Sequence, residues 1–295
     1  SNDFRTGKDG VVAIKLSVLM SVYDMESPAF LRESLDSLAT QTLPADEVVI
    51  VEDGPLREQL RTTIADFKTI LPIVVLPLPT HVGLGAALRV GVEACRGEYV
   101  ARMDSDDVCV EERFQRQVEY LDRNPIVDVV GSTIEEFQDD CSMPQSIRRL
   151  PAGGPALLRF AKFRTPMNHV TVVFRKASVM AAGNYEDSPH HQDYRLWARM
   201  LMLGYHLHNM NDVLVHVRCG NGMQTRRGGL MYLKRDTGFQ LYLHRLGLVT
   251  ATECIMNIVV RASVRLAPLA VRSLSYRLFL RSKPQHQTSS CITRG

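Results

Sequence analysis

Three carboxylates close an apolar-leaning run in Tyr99-Val100-Ala101-Arg102-Met103-Asp104-Ser105-Asp106-Asp107. Tyr99 to Met103 reads as a buried strand, so the acids fall where that strand leaves its sheet. In extended geometry Asp104 and Asp106 point to one side and Ser105 to the other. Two carboxylates on one side of a strand end make a hard oxygen site suited to Mg²⁺ or Mn²⁺. Such an ion keeps open positions and can hold the phosphates of a nucleotide. A solvated acidic turn, or a helix N-cap cluster continuing into Glu111 and Glu112, accounts for the same residues without chemistry. The spacing alone leaves both readings open.

A second acid, Asp193, lies in His190-His191-Gln192-Asp193-Tyr194-Arg195-Leu196-Trp197 at the start of a helical pattern. There it can serve as a base or simply favour the helix dipole. His190 and His191 have no carboxylate or cysteine at zinc spacing and read as a polar loop pair. His216 lies in an apolar run from Val213 to Val217. A packed or hydrogen-bonded histidine fits it better than a metal ligand. Asn168 and His169 end a loop before a strand, where they face an acceptor or tie the loop down.

These residues need elements to position them. Leu16 to Val22 is a near-continuous apolar run, as in a strand buried on both faces. Pro28 opens a helix with Leu31, Leu35 and Leu38 on one face. Val48 to Val51 is a second strand, closed by Glu52-Asp53-Gly54-Pro55. A helix through Leu60, Ile64 and Phe67 leads to a third strand, Ile73 to Leu76. His81 to Gly85 is a turn, Ala86 to Cys95 a small-residue helix, and the acidic strand follows. This alternation predicts an α/β, doubly wound and mostly parallel sheet. Ligands in such sheets bind outside the carboxyl ends of the strands, where Asp53 and Asp104 both fall. No Gly-x-Gly-x-x-Gly follows the first strand, which argues against a dehydrogenase. In the second half Val127 to Val130 and Val170 to Phe174 read as strands. Gln138 to Arg164 reads as loop. A helix begins at Gln192, with Leu196, Met200 and Leu203 at helical spacing. From Tyr232 the chain is helical and basic, with a division expected at Pro268.

Leu16–Asp24, Val48–Gly54, His81–Gly91 and Tyr99–Asp107 resemble the successive blocks of the family 2 glycosyltransferases. Those are inverting, metal-dependent enzymes of the GT-A fold. The acidic stretch is similar to the family's Asp-x-Asp motif. Asp53-Gly54 resembles the tail of its Asp-Asp-Gly, with Glu52 in the first acidic place. Within the family the likeness is to bacterial exopolysaccharide transferases of the amylovoran-biosynthesis type. It is carried by Arg102–Asp107, Arg113-Phe114-Gln115-Arg116-Gln117, Pro166-Met167-Asn168-His169 and Arg226-Arg227-Gly228-Gly229.

The resemblance implies transfer of a sugar from a nucleoside-diphosphate sugar, a UDP-sugar first, to a hydroxyl of a growing, lipid-linked surface polysaccharide. It implies Asp193 as the general base, although Gln192 replaces the Glu of the family's Glu-Asp-Tyr-x-Leu-Trp. It implies Asp106 as the direct ligand of Mn²⁺ or Mg²⁺, with Asp104 on the metal or the ribose. Ser21, Tyr23 and Asp53 then line the base pocket, Asp53 accepting from a pyrimidine N–H. Ser21 stands where many relatives carry Pro or Thr. Arg102 belongs to the nucleotide-sugar site, and Arg226 and Arg227 to a loop that closes over the diphosphate.

Composition bounds the alternatives. The chain has 295 residues, 45% hydrophobic and 23% charged, with a net charge of only +3. That is globular and gives no support for nucleic acid as a partner. Six scattered cysteines fit neither a zinc ribbon nor a disulfide framework and suit a reducing cytosol. No signal peptide is visible, and no stretch is long and apolar enough to span a bilayer. The expected organisation is a GT-A domain over residues 11–225, with a nucleotide-sugar half to about 125 and an acceptor half beyond. A helical extension over 226–282 and a disordered tail over 283–295 complete it. Arg261, Arg265, Arg272, Arg277 and Arg281 lie among apolar residues. They are expected either to cap the fold or to rest on anionic lipid at the inner face of the plasma membrane. A nucleotidyltransferase would need a glycine-rich loop after the first strand, and a haloacid-dehalogenase phosphatase its Asp-x-Asp there; neither is present. The remaining alternative is a non-catalytic nucleotide-sugar-binding or membrane-scaffold protein of the same fold.

Overall fold

The computed structural model describes residues 15–188, 190–219 and 230–266. Its elements run in order as β1 (Leu16–Val22), α1 (Pro28–Ala39), β2 (Glu47–Glu52), α2 (Glu58–Phe67), β3 (Ile73–Pro77), α3 (Leu84–Ala94), β4 (Tyr99–Met103), β5 (Val108–Cys109) and α4 (Arg113–Arg123). The second half adds β6 (Val127–Phe137), β7 (Ser146–Arg148), α5 (Gly154–Ala161), β8 (Val173–Arg175), α6 (Lys176–Ala181), α7 (Gln192–Met202), β9 (His206–Arg218), α8 (Leu230–Arg245) and α9 (Ala251–Leu266). One sheet holds all nine strands in the order β3-β2-β1-β4-β8-β6-β9-β5, with β7 on β6. The first four strands are parallel. Beyond β4 the sheet turns mixed: β8 is antiparallel to β4 and β6, whereas β6 and β9 run parallel.

Strands β1, β2 and β4 read as apolar runs because both faces are covered. On one face Val18, Met20, Val48 and Ile50 meet Leu31, Leu35, Leu60, Ile64, Phe114 and Val118 of α1, α2 and α4. On the other, Leu19, Val49, Val51 and Val100 meet Ala87, Leu88 and Val92 of α3 and Leu196, Trp197 and Met200 of α7. The same α7 turns Tyr194 and Ala198 towards Phe239 and Leu243 of α8 and Cys254 of α9. Helix α7 is thus wedged between the sheet and the C-terminal helices.

The second half is more ordered than its sequence predicts. Val170 belongs to a single 3₁₀ turn, His169–Thr171, and the strand begins only at Val173. Within the stretch expected as loop, Pro155 starts α5 instead of breaking it, because proline suits a first helical turn. The C-terminal helices divide at residues 246–250, ahead of the expected break at Pro268, which lies outside the described residues. Gly247 takes φ +85°. Thr250 and Glu253 then form a capping box, Thr250 Oγ1 accepting from the Glu253 N–H (3.2 Å) and Glu253 Oε2 from the Thr250 N–H (2.8 Å). Arg261 is turned inward, donating to the Phe163 carbonyl at 2.7 Å, and so is not free for lipid. The tail over 283–295, and Arg272, Arg277 and Arg281, lie outside the described residues, as does the Arg265 side chain. Cys95, Cys109 and Cys254 are free thiols. Cys141 is disulfide-bonded, which the scattered spacing did not indicate.

The amino ends of the parallel strands are pinned by one buried network. Ser17 Oγ donates to Glu47 and accepts from the Gly97 N–H at 2.8 Å, while Arg96 Nε donates to Glu47 at 2.8 Å. Burial alone would raise the Glu47 pKa, but these donors outweigh it and hold the carboxyl low. A Cβ on Gly97 would lie 2.6 Å from the Ser17 nitrogen and 2.8 Å from the Tyr99 oxygen, both backbone atoms. Gly97→Ala should therefore cost about 2–3 kcal/mol, read as a lower urea midpoint at unchanged slope. An unchanged midpoint would mean that the turn relaxes and that this contact does not set the register.

Candidate active site

The strand order brings four carboxyl ends into one row. Asp53 follows β2, Tyr23 follows β1, the acids follow β4, and the segment after β3 folds back over Asp53. This is the place where a parallel sheet presents ligand-binding groups.

Residues 104–107 form a turn, not extended chain. The turn gathers three carboxylates instead of two: ligand oxygens of Asp104, Asp106 and Asp107 lie within 4.8 Å of one another. Several groups hold the turn. Ser34 Oγ donates to the Asp104 carbonyl at 3.0 Å, and Ser105 Oγ to Glu26 Oε2 at 2.8 Å. The Arg218 N–H donates to Asp107 Oδ1 at 2.8 Å, and its Nε to the Asp106 carbonyl at 3.2 Å. The Arg218 guanidinium also pairs with Glu33 and lies 4.0 Å from the Phe30 ring centroid and 4.6 Å from that of Phe137.

Arg102 is buried, and both of its terminal nitrogens donate to Asp104, Nη1 at 2.6 Å. Burial works against its charge, and the Asp104 carboxylate more than offsets this, raising its pKa. Arg102, expected in the nucleotide-sugar site, contacts the acid turn through Asp104. Burial, then the neighbouring charges of Asp104 and Glu26, push the Asp106 carboxyl up to about 7. Burial followed by Asp104 and Asp106 raises Asp107 as well. Crowded carboxylates of this kind are a donor set that fits a hard divalent cation. Asp106 and Asp104, expected as metal residues, both lie in this cluster, and Asp107 joins them.

Asp53 is buried, and its oxygens accept from the Val82 N–H (2.7 Å) and the Gly83 N–H (3.0 Å), with His81 Nδ1 lying 2.9 Å from Oδ2. Tyr23 is 43% exposed, its ring centroid 6.0 Å from that of His81. Ser21 is half-buried near the end of β1, opposite Val51.

Asp193 stands half-buried in the first turn of α7, 3.4 Å from the Thr165 hydroxyl. The residue before the helix, His191, has φ +58° and stacks on Phe239 with centroids 4.4 Å apart, near Asp236. A non-glycine residue in that region is uncommon and needs such support. Tyr185 is fully buried. Burial raises its phenol, and the charges of Arg102, Asp193 and Asp104 all act on it. Its hydroxyl lies 2.8 Å from His169 Nε2. Burial, then the Arg102 charge, drives the His169 pKa well down, so this imidazole is neutral. Asn168 ties its loop down, donating to Ser132 O at 2.8 Å. His216 is buried 3.3 Å from Glu135 and is not in the acid cluster. Arg226 and Arg227 lie outside the described residues.

The glycosyl transferase family 2 signature matches residues 17–185. The amylovoran biosynthesis glycosyltransferase AmsE of Erwinia amylovora is 39% identical over 265 residues, 88% of this chain and 97% of that one. This chain belongs to glycosyltransferase family 2. It is also 34% identical to the Escherichia coli UDP-Gal:alpha-D-GlcNAc-diphosphoundecaprenol beta-1,3-galactosyltransferase, over 90% of this chain and 97% of that one. The S. aureus TarS 1-349 structure in complex with UDP-GlcNAc superposes with a TM-score of 0.66 at 19% identity, covering 90% of this chain and 76% of TarS. The mannosyltransferase PcManGT of Pyrobaculum calidifontis, solved with GDP-Man and Mn²⁺, gives 0.59 at 16%, covering 89% and 79%. The fold is GT-A, and the protein is a glycosyltransferase.

Family membership explains the order of the blocks, and the structure adds residues that the sequence did not flag. Asp107 was visible as the third acid of its run. Glu26, Arg218 and the Asp53–His81 contact carry no local signal. The Asp106 shift yields a pH prediction for the metal-free protein. An acid whose folded pKa of about 7 exceeds its ordinary 3.8 keeps its proton longer when folded. Stability should then fall as pH rises from about 4 to about 7. Asp106→Asn should reduce that fall, with denaturation midpoints measured in EDTA as the check. The same substitution should remove the Mn²⁺-dependent part of UDP binding. Equal UDP affinity with and without Mn²⁺ in the wild type would count against the ligand role.

Proposed function

We propose that the protein transfers a sugar from a UDP-sugar to a hydroxyl of a lipid-diphosphate-linked glycan, with inversion at the sugar carbon. The observation that carries this is the turn of three carboxylates, Asp104, Asp106 and Asp107, at the carboxyl end of β4 in a family 2 chain. The E. coli relative, whose name gives UDP-Gal as donor and a diphosphoundecaprenol-linked acceptor, supports the choice of substrates.

Asp193 receives the acceptor proton as the hydroxyl oxygen attacks the anomeric carbon. The bond from that carbon to the diphosphate oxygen breaks, and its electron pair leaves with UDP. Asp106, Asp104 and Asp107 would hold Mn²⁺ or Mg²⁺, which when bound neutralises charge on the departing diphosphate. Arg102 fixes Asp104, and Arg218 fixes the turn that bears Asp106 and Asp107. Arg226 and Arg227 are proposed to reach the diphosphate. Ser21 and Tyr23 flank the nucleoside.

Asp193→Asn should lower kcat by about 10²–10⁴-fold while leaving the UDP dissociation constant within about threefold. Turnover is followed by UDP release with a GlcNAc-diphosphate-lipid analogue as acceptor. A donor affinity that falls as far as turnover would make Asp193 a binding residue. Loss of neither would favour a non-catalytic nucleotide-sugar-binding protein.

A lipid-linked acceptor requires a route to the membrane surface. No helix among the described residues is long and apolar enough to cross a bilayer. Helix α9 instead turns Ile255 (64% exposed), Met256, Val259 and Val260 outward, while Cys254, Asn257 and Ile258 face the body. We infer peripheral attachment through this face and the arginines that follow it. Basic residues near an anionic surface contribute about 1 kcal/mol each and are screened by salt. Ile255→Glu with Val259→Glu should abolish flotation with anionic vesicles and leave UDP affinity unchanged. Undiminished flotation would exclude this face.

A further inference from the structure

The Asp193 side chain is loosely held. It is half-buried in the first turn of α7, and the Thr165 hydroxyl donates to it at 3.4 Å, long for an O–H···O bond. The position of the carboxylate then follows from the two backbone segments that meet there. One is the start of α7, and the other runs from the end of α5 to Thr165. Both are fastened to the α8–α9 hairpin.

At the start of α7 the cap residue makes no side-chain hydrogen bond to the helix. That residue is His191, at φ +58° and ψ 26°, and its carbonyl accepts the Arg195 N–H at 2.8 Å. Side chains rarely adopt this backbone, and where they do the surroundings fix it. Here α8 supplies the surroundings. The His191 and Phe239 rings lie with centroids 4.4 Å apart and planes 22° apart, and His191 Nε2 is 3.5 Å from Asp236 Oδ1. One turn on, the Arg195 guanidinium sits 4.1 Å from the Tyr242 ring centroid. Asp193 follows His191 so closely that any change in the direction in which α7 starts moves the carboxylate.

The other segment is held by α9. Lys162 Nζ pairs with Glu253 at 2.7 Å, Asn257 Nδ2 donates to the Lys162 carbonyl at 2.9 Å, and Arg261 Nη2 to the Phe163 carbonyl at 2.7 Å. Asn257 also donates to Gln240 of α8 at 2.9 Å, which ties the two helices together. The hairpin thus grips the chain on both sides of the carboxylate. Helix α8 takes the helix that bears it, and α9 takes the segment that leads to Thr165.

We propose that the α8–α9 hairpin sets the position of Asp193, with His191 as the positioning residue that carries this to the first turn of α7. The inference rests on the reading of Asp193 as the base. It gives the C-terminal helices a part in turnover beyond attachment to a surface.

The test is a double-mutant cycle on the full chain, with turnover followed by UDP release with the acceptor analogue and UDP affinity by calorimetry. His191→Asn keeps a residue that tolerates the left-handed backbone and removes the ring. A carboxylate displaced by part of an ångström loses much of its use as a base, so kcat should fall about tenfold while the UDP dissociation constant stays within about threefold. In the Asp193→Asn chain the same substitution should change the residual kcat by less than about twofold, because the group it positions is gone. His191→Phe keeps a ring against Phe239 and should recover most of kcat. An unchanged kcat in His191→Asn, an equal fall in both backgrounds, or a UDP affinity that falls with kcat would overturn the proposal. If His191→Asn melts below the assay temperature, Arg261→Met takes its place in the cycle, since it releases the Phe163 carbonyl. A loss of about threefold confined to the chain with Asp193 intact is then the supporting result, and no loss or an equal loss overturns it. Full turnover in Asp193→Asn alone would overturn the base reading itself, and this inference with it.

Discussion

Three carboxylates within 4.8 Å of one another, largely out of water, repel each other. The upper end of the fold is arranged around that repulsion. Arg102 is the nearest cation, and it is spent on Asp104. The turn is kept closed by neutral donors from several elements: Ser34 from α1, the Arg218 N–H from β9 and Ser105 reaching back to Glu26. Burial first, and then the neighbouring carboxylate charges, raise Asp106 and Asp107. The acid turn therefore concentrates like charge at the carboxyl end of β4, a donor set that fits a hard divalent cation.

Holding it requires that the parallel and mixed parts of the sheet stay in register, and α4 does this. Arg113 is fully buried without a carboxylate partner. It donates to the Arg102 carbonyl at 2.7 Å and the Val170 carbonyl at 3.0 Å, and its Nε to Gln117 at 3.1 Å. Gln117 in turn donates to the Thr171 carbonyl at 2.8 Å. These two side chains fasten the strand that ends in the acids to the 3₁₀ turn that carries His169. A buried charge costs several kcal/mol unless it is well hydrogen-bonded, and here neutral acceptors surround the guanidinium. Replacing it with an apolar residue would leave buried carbonyls without donors on both sides of the junction.

Legibility followed periodicity. β1, β2, β3, β4 and α1 through α3 were all readable, because burial on two faces leaves continuous apolar runs and one-sided helices leave a stripe. The acids were readable as a site because they interrupt such a run at its carboxyl end. What stayed hidden depends on distant partners. Glu26 acquires its role only through Ser105, and Arg218 only through Phe30, Phe137 and Glu33. The short β7 and α5 carry too few residues for a period to emerge. The break between α8 and α9 is a different case, since Gly247 and Thr250-x-x-Glu253 are ordinary stop and start signals. The apolar residues on both faces of α9 concealed them by prolonging the helical pattern.

Asp53 shows how far a motif can carry an assignment. Its place after β2 was readable, but the use of its oxygens was not, because that depends on a turn some thirty residues later folding back over Gly54. An acid facing solvent would have to be desolvated each time a ligand covered it, at a cost set by its full charge. A carboxylate already bonded to two backbone N–H groups has met that cost in folding, and the same two bonds hold the turn after β3 against the end of β2.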